Sequence, residues 1–318
     1  VTGPRVLVTP RSMSAGRSPA VDRLKAAGYT VVTPAPGRQP TREDLLAAVP
    51  GVVGWVAGVE PIDAQVLARA DTLRVISRNG AGCDAIDMAA AAASGVRVLT
   101  ARGANAQGVA ELALALTLAG LRGLPEAAAA LRAGQWRRTT GREAAGRTLG
   151  VVGFGAIGRR LAHLAAGLGM RVVAHDPFVR DAGDVPLLPL HDLLRTSEVV
   201  SLHVPPSPDG PLLGAPELAL LRDDAVLLNT ARSTLVDEDA LLAELDSGRI
   251  ALYTVDAFDR EPPAPSALLA HPRVLPTPHL GAATAESVRR ASDAAVDNLL
   301  AALADERGQQ GTEASGGS

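Results

Sequence analysis

The sequence predicts an α/β protein built from two doubly wound parallel-sheet domains, on three observations. Short Val-rich runs alternate with Ala/Leu-rich helical stretches along nearly the whole chain. The chain has 318 residues, enough for two domains at roughly 100–200 residues each. Its apolar fraction is 47% but its aromatic fraction only 2%, so the core is Ala, Val and Leu, which suits helices packed on Val-rich strands.

In the first hundred residues, strands are expected at Arg5–Thr9, Tyr29–Thr33, Val52–Val56, Leu73–Ser77 and Val96–Thr100. Helices are expected between them at Ser18–Ala27, Arg42–Val49, Asp63–Ala70 and Ile86–Ala93. Gly28 closes the first helix, and Thr41 caps the second, with Glu43 and Asp44 in the first turn where the helix dipole favours acids. Such a βαβα series implies right-handed crossovers and parallel pairing. A long helix, Gln107–Arg122, follows, then a second one with Pro125 near its start. A new βαβ series opens at Thr148, with strands at Thr148–Val152, Arg171–Ala174, Val199–His203, Ala225–Asn229, Tyr253–Ala257 and Val274–Pro276. A last helix spans Thr284–Ala304, and the Gln/Gly/Ser-rich segment 305–318 is expected to be a disordered tail.

Composition excludes several functions. With 31 basic and 34 acidic residues the net charge is −3, and nothing in that balance asks for nucleic acid or an anionic membrane. Seven aromatics make a base-stacking surface a poor fit. A single cysteine, Cys83, permits no intrachain disulfide and no all-Cys metal site, and places the chain in a reducing cytoplasm. No ligand spacing for a metal is present, and the sequence implies none. The longest apolar stretch, near Leu112–Leu121, falls short of the roughly 20 residues that span a bilayer. The opening VTGPRVLVTP carries no signal-peptide pattern. Lys25 is the only lysine, so Schiff-base chemistry elsewhere is excluded.

The strongest local motif is Gly153-x-Gly155-x-x-Gly158, placed directly after an apolar strand and opening an Ala/Leu helix. The first glycine permits a tight turn, the second lets backbone approach a pyrophosphate, and the third lets helix and strand pack closely. The next strand leads to Asp176, 23 residues beyond Gly153, where an acid accepts bonds from the adenosine ribose and repels a 2′-phosphate. A merely structural Gly-rich turn explains neither the strand context nor Asp176. The reading is a dinucleotide site that takes NAD.

Four further strand ends carry polar groups. Asn229-Thr-Ala-Arg232-Ser233 places an arginine where a guanidinium could hold a carboxylate bidentately, or where it could simply pair with Asp237 or Glu238. Asp256-Ala-Phe-Asp-Arg-Glu261-Pro262-Pro263 places Glu261 before prolines that exclude helix. Pro278-His279-Leu-Gly281 puts a histidine in a stiff turn, and His203 ends another strand as a candidate wall of a nicotinamide pocket. His163, His175, His191 and His271 lack such a context and read as surface or structural. Together, Arg232, Glu261 and His279 suit alcohol oxidation: a base near neutrality, a carboxylate that orients it and an anion clamp. Neither HExxH nor GxSxG is present.

With these motifs, and with Ser77-Arg-Asn-Gly-Ala-Gly-Cys-Asp84, Asn105…Val109-Ala-Glu111, Gly134-x-Trp136 and Ser201-Leu-His-Val-Pro205, the chain resembles the NAD-dependent D-isomer-specific 2-hydroxyacid dehydrogenases, close to their phosphoglycerate dehydrogenase-like branch. The resemblance runs from about Arg5 to Leu300. It implies a Rossmann cofactor domain at 102–281 inserted in a flavodoxin-like substrate domain formed by 1–101 and 282–304. It implies a hydride exchange between NAD(H) and a small D-2-hydroxy acid or its 2-oxo partner, in a homodimer formed through the helix from Gln107. Arg232 would bind the carboxylate, Glu261 orient and His279 act as acid/base. Cofactor contacts would come from Gly153, Phe154, Gly155, Ala156, Ile157 and Gly158, then Asp176 and Pro177. His203, Val204 and Pro205 would add to them, with Thr230, Ala231, Arg232, Asp256, His279 and Gly281. Arg78, Asn79, Gly80, Ala81 and Gly82, with Asn105 and Arg232, would bind substrate.

The resemblance also has departures. Ser233 stands where the family usually has glycine, and Cys83 replaces a residue often aromatic. Val56-Ala-Gly58-Val-Glu60 lacks the arginine that the phosphoglycerate branch commonly places after its third strand, although Arg78 or Asn105 could serve a second anionic group, phosphate or phosphonate. The alternatives are a non-catalytic NAD(H)-sensing protein of the C-terminal-binding corepressor type, and phosphite or formate oxidation.

Overall fold

The computed structural model describes residues 3–315. The chain divides into two compact units, Val1–Asn105 with Ala285–Ser318, and Ala106–Thr284.

The first unit is a five-stranded sheet of β1 (Arg5–Val8), β2 (Thr30–Val32), β3 (Val52–Ala57), β4 (Val75–Arg78) and β5 (Arg97–Thr100). Its order is β2-β1-β3-β4-β5, and all pairs are parallel. That is the 2-1-3-4-5 order of flavodoxin-like sheets. Alternation along the strands sends Leu7, Trp55 and Ile76 to one face and Val6, Val8, Val56 and Val75 to the other. Helices α3 (Arg42–Ala48), α4 (Ala64–Ala68) and α5 (Met88–Ala93) follow α1 (Arg11–Ser14) and α2 (Pro19–Ala26). Thr41 starts α3 with a capping box shared with Asp44. The second face of the sheet is covered by α2 and by the closing helix, Ala285–Ser315, through Ala295, Val296, Leu299, Ala302 and Leu303. A disordered segment was expected from 305, but helix continues to Ser315. Glu306, Arg307, Gln309 and Gln310 are good helix formers on both sides of Gly308. The rest of that expected tail, 316–318, lies outside the described residues.

The second unit opens with α6 (Ala106–Arg122) and α7 (Leu124–Arg132). Its sheet comprises β6 (Thr148–Val152), β7 (Arg171–His175), β8 (Val199–Leu202), β9 (Ala225–Asn229), β10 (Ile250–Val255) and β11 (Val274–Pro276). All pairs are parallel, in the order β11-β10-β9-β8-β6-β7. Helices α8 (Ala156–Gly167), α9 (Leu190–Thr196), α10 (Ala215–Leu218), α11 (Glu238–Ser247) and α12 (Ala267–Ala270) connect the strands. One face packs Leu149, Val151, Val226 and Leu228 against α6 and α8, and the other packs Val152, Val200, Leu227 and Tyr253 against α9 to α11. The chain leaves β6 toward β7 on one side and returns to β8 on the other. This switch point opens a crevice at the carboxyl ends of β6 and β8, where open α/β sheets bind ligands. Among the described residues no single helix is long and apolar enough to cross a membrane.

Candidate active site and dinucleotide cradle

Strand β6 is buried throughout and ends at Gly153, the first residue of the switch-point loop. Gly153 has φ +93°, and a Cβ there would lie 2.5 Å from the His203 carbonyl oxygen. A side chain at Gly158 would meet the Gly153 carbonyl oxygen at 2.1 Å, so this third glycine lets α8 sit against the loop. Gly155, the N-cap of α8, faces open space. The first-turn N–H groups of Ala156, Ile157 and Gly158 therefore open a helix beside a glycine that nothing crowds. Phe154 contributes backbone alone, since its ring is buried in the core with the Arg159 guanidinium 4.7 Å over it. Asp176 follows β7, and its carboxylate accepts bonds from Phe154 N at 2.8 Å and Phe178 N at 2.9 Å. Each oxygen thus takes one backbone bond and keeps a lone pair for a further donor. These features fit a dinucleotide: a pyrophosphate on the helix N-terminus and a ribose beside Asp176. Pro177 follows directly.

Across the switch point, β8 delivers His203, then Val204 and Pro205. His203 is half-buried, with Nε2 2.9 Å from Ser201 Oγ and Nδ1 3.4 Å from Thr230 Oγ1. Burial pushes its pKa down to about 4, so the ring is neutral at neutral pH. Ser201 was not foreseen as a partner. Its signal was weak, a lone hydroxyl in an apolar strand pointing the same way as the histidine two residues on.

The polar trio comes from the ends of β9, β10 and β11, all within the second unit. Arg232 lies in the turn after β9, past Thr230 and Ala231, with Nη1 donating to Ala231 O at 2.6 Å. Asn229, fully buried at the end of β9, fixes that turn. Its Nδ2 donates to Arg232 O at 2.8 Å, and its Oδ1 accepts from Ala231 N at 3.1 Å. An amide closing an otherwise apolar strand was the available hint. Glu261 lies in the loop after β10, where the Glu261–Pro262 peptide is cis. It meets His279 directly, with His279 Nδ1 2.8 Å from Oε1 and 3.0 Å from Oε2. Burial alone would raise the Glu261 pKa. The His279 bond, the Phe258 N–H and the charges of His279 and Arg232 outweigh it and hold the carboxyl below its ordinary value. Both side chains remain partly exposed.

His279 adopts φ +53°, in the left-handed region that a histidine rarely occupies. Asp256 holds it there. This carboxylate is 1% exposed and accepts from Thr277 Oγ1 at 2.6 Å, Leu280 N at 2.7 Å and Gly281 N at 2.9 Å, while its carbonyl accepts from His279 N at 2.9 Å. Asp256 and Gly281, expected among the cofactor contacts, are thus bonded to each other as parts of the His279 turn. Ser233 donates to Asp259 Oδ1 at 3.0 Å and accepts from Asp259 N at 3.2 Å. The hydroxyl that departs from the family's glycine therefore ties the arginine turn to the Glu261 loop.

The expected substrate contacts Arg78 to Gly82 and Asn105 belong to the first unit. Arg78 ends β4 and donates to Asn79 O, Asn79 N bonds Ala57 O at 2.8 Å, and Ala101 N bonds Gly80 O at 2.9 Å. Asn105 is half-buried. Cys83, in the same loop, has its thiol pKa pushed up, chiefly by burial, as suits a packing residue rather than a nucleophile. Among the described residues no group of three or more His, Cys, Asp or Glu could hold a metal.

The depressed His203 pKa predicts a pH effect. Between about 4 and 6.5 the unfolded chain binds a proton there that the folded chain does not. This contribution to stability is present above pH 6.5 and is lost as pH falls toward 4. Urea unfolding at pH 7.5 and 4.5 should show a smaller acid loss in His203→Gln than in the parent. Equal losses would refute the assignment.

The geometry can now be set beside known proteins. Residues 114–281 match the family model described as D-isomer specific 2-hydroxyacid dehydrogenase, NAD binding domain. The chain is 40% identical over 275 residues to D-3-phosphoglycerate dehydrogenase of Mycobacterium tuberculosis, covering 84% of this chain and 52% of that one. It is 35% identical over 271 residues to hydroxypyruvate reductase of Thermotoga maritima, covering 82% of this chain and 88% of that one. Among solved structures, the TT0316 protein from Thermus thermophilus superposes with a TM-score of 0.84 at 39% identity, over 95% of this chain and 97% of that one. The chain spans about half the length of the phosphoglycerate dehydrogenases it matches. The second unit is an NAD-binding domain, and the chain belongs to the D-isomer specific 2-hydroxyacid dehydrogenase family.

Proposed function

We propose that this chain is an NAD-dependent oxidoreductase that interconverts a small D-2-hydroxy acid and its 2-oxo acid. The observation that carries the reading is the His279–Glu261 pair, 2.8 Å apart, in the same unit as the glycine cradle and close enough to Arg232 for its charge to act on Glu261. NAD, held by the Gly153–Gly158 turn and Asp176, would supply the hydride acceptor or, reduced, the hydride donor. Glu261, kept ionised, accepts a hydrogen bond from His279 Nδ1–H, which fixes the proton on Nδ1 and leaves Nε2 with its lone pair. In oxidation that atom takes the hydroxyl proton as the carbonyl forms, and Glu261 stabilises the resulting imidazolium. In reduction the same proton returns to the carbonyl oxygen. Arg232 offers a planar fork to the substrate carboxylate and so orients the carbon that exchanges hydride. The phosphoglycerate dehydrogenase and hydroxypyruvate reductase relatives support this substrate class.

The same reading includes a homodimer. It is supported by α7, which buries none of its side chains and exposes Leu124 and Leu131, and by exposed Trp136 just after it. Light scattering should give twice the 32.5 kDa chain mass, and a monomer at micromolar concentration would remove this part of the reading.

Two variants test the chemistry. His279→Ala should lower turnover of 2-oxo acids with NADH by about 10²–10⁴-fold, while NADH binding, read by fluorescence, is retained. Full turnover would overturn the proposal. Asp176→Ser should shift the NADH-to-NADPH ratio of kcat/KM toward NADPH by about tenfold or more, since it removes a like charge facing the 2′-phosphate. An unchanged ratio would assign Asp176 a purely structural part.

A further inference from the structure

Glu261 stands on a stretch of chain that has little to hold it. Phe258 packs on the apolar cluster that contains Leu227 and Tyr253, but Asp259, Arg260 and Glu261 are exposed. Pro262, Pro263 and Pro265 follow, and none has an N–H to donate. Among the described residues, two side chains from outside the segment 257–265 hydrogen-bond to it. One is His279, the group that Glu261 orients. The other is Ser233, whose hydroxyl donates to Asp259 Oδ1 at 3.0 Å and accepts from Asp259 N at 3.2 Å. One residue back, the Phe258 N–H donates to Glu261 Oε1 at 3.1 Å, the oxygen that lies 2.8 Å from His279 Nδ1. Ser233 thus grips the chain immediately before the carboxylate that meets the histidine.

The two sides of this link are not equally anchored. Ser233 opens a single 3-10 turn, Ser233–Leu235, in which Leu235 N donates to Arg232 O and Val236 N to Ser233 O, both at 3.2 Å. Leu235 and Val236 are buried, and Asn229 Nδ2 holds Arg232 O from the strand side at 2.8 Å. The backbone of Arg232 therefore keeps its place whether or not residue 233 carries a hydroxyl. The Glu261 stretch does not, because alanine at 233 would leave Asp259 without either bond. Asp259 is exposed, so water screens its charge, and what the pair contributes at Glu261 is position rather than field.

We propose that Ser233 is a positioning residue for the proton-transferring pair. Its hydroxyl holds the Asp259–Glu261 stretch so that Glu261 meets His279, and it acts on turnover while substrate affinity stays with the separately anchored Arg232. The proposal rests on the dehydrogenase reading and adds to it a residue that works through Glu261.

The test compares the whole chain with Ser233→Ala, Asp259→Ala and the double variant, using NADH and whichever of glyoxylate, pyruvate and hydroxypyruvate the parent reduces fastest. In Ser233→Ala, kcat should fall by about ten- to a hundredfold, the scale of a displaced catalytic group, while KM for the oxo acid changes by less than about twofold. Adding Asp259→Ala to Ser233→Ala should cause no further loss, since the bond it removes is already gone. A second readout needs no turnover. Amide exchange followed by NMR should be faster in Ser233→Ala at Phe258, whose N–H bonds Glu261, and unchanged at Ala231, whose N–H bonds Asn229. An unchanged kcat, a rise in KM with kcat retained, additive losses in the double variant, or unchanged exchange at Phe258 would each overturn the proposal. If the parent reduces no 2-oxo acid, the dehydrogenase reading fails instead, and exchange still decides whether Ser233 holds the Glu261 stretch. Asp259→Ala, at an exposed position, should show the same split to a smaller degree, and it decides the proposal even if Ser233→Ala does not fold.

Discussion

The chemistry of the second unit hangs on one buried carboxylate. Asp256 is removed from water and is held by donors of the segment it organises: the Thr277 hydroxyl and the Leu280 and Gly281 amides. Charge-assisted bonds of this kind offset the cost of burying the charge. What they sustain is the left-handed backbone at His279, a conformation that costs about 1–3 kcal/mol in a non-glycine residue. The register of β10 on β11, with Val255 opposite Pro276, sets the carboxylate level with the turn. Strand pairing, a buried acid and a strained histidine are thus one device.

Two neighbouring contacts extend it. Glu261 is kept ionised by the donors around it, and it faces the ring whose position Asp256 fixes. Ser233 and Asp259 exchange hydrogen bonds between the loops after β9 and β10. Asn229 then anchors Arg232 from the other side. The arginine, the glutamate and the histidine come from three strands, and side chain-to-backbone bonds, more than direct contact among the three, hold them in one place.

The sequence announced those parts whose signal is local. The Gly153–Gly158 cradle, Asp176 and the proline-flanked His279 could be read because turn geometry and helix initiation act over a few residues. Asp256 could be located but its work could not, since its donors lie more than twenty positions later and meet it only through β10–β11 pairing. The partner of Ser233 is likewise 26 residues away. Glu60 figured in the sequence only as part of the segment that lacks an arginine; its bond from Thr9, which in turn takes the Trp55 indole N–H, joins positions about fifty residues apart. The closing helix runs further than its Gln and Gly content suggests, because adding residues to a helix already formed avoids the cost of a new nucleus.

The way the first unit is completed bears on biosynthesis. One face of its sheet, carrying Val6, Val8, Val56 and Val75, is covered by Val296, Leu299 and Leu303 of the closing helix. During translation that face and its partial cover, α2, are made within the first eighty residues, and the rest of the cover follows only after about two hundred more, the entire second unit among them. At roughly 5–20 residues per second, an apolar surface is left waiting on the ribosome for about ten seconds or longer. The sheet is thus complete long before its second helical layer is, and the order of synthesis runs against the order in which this core closes.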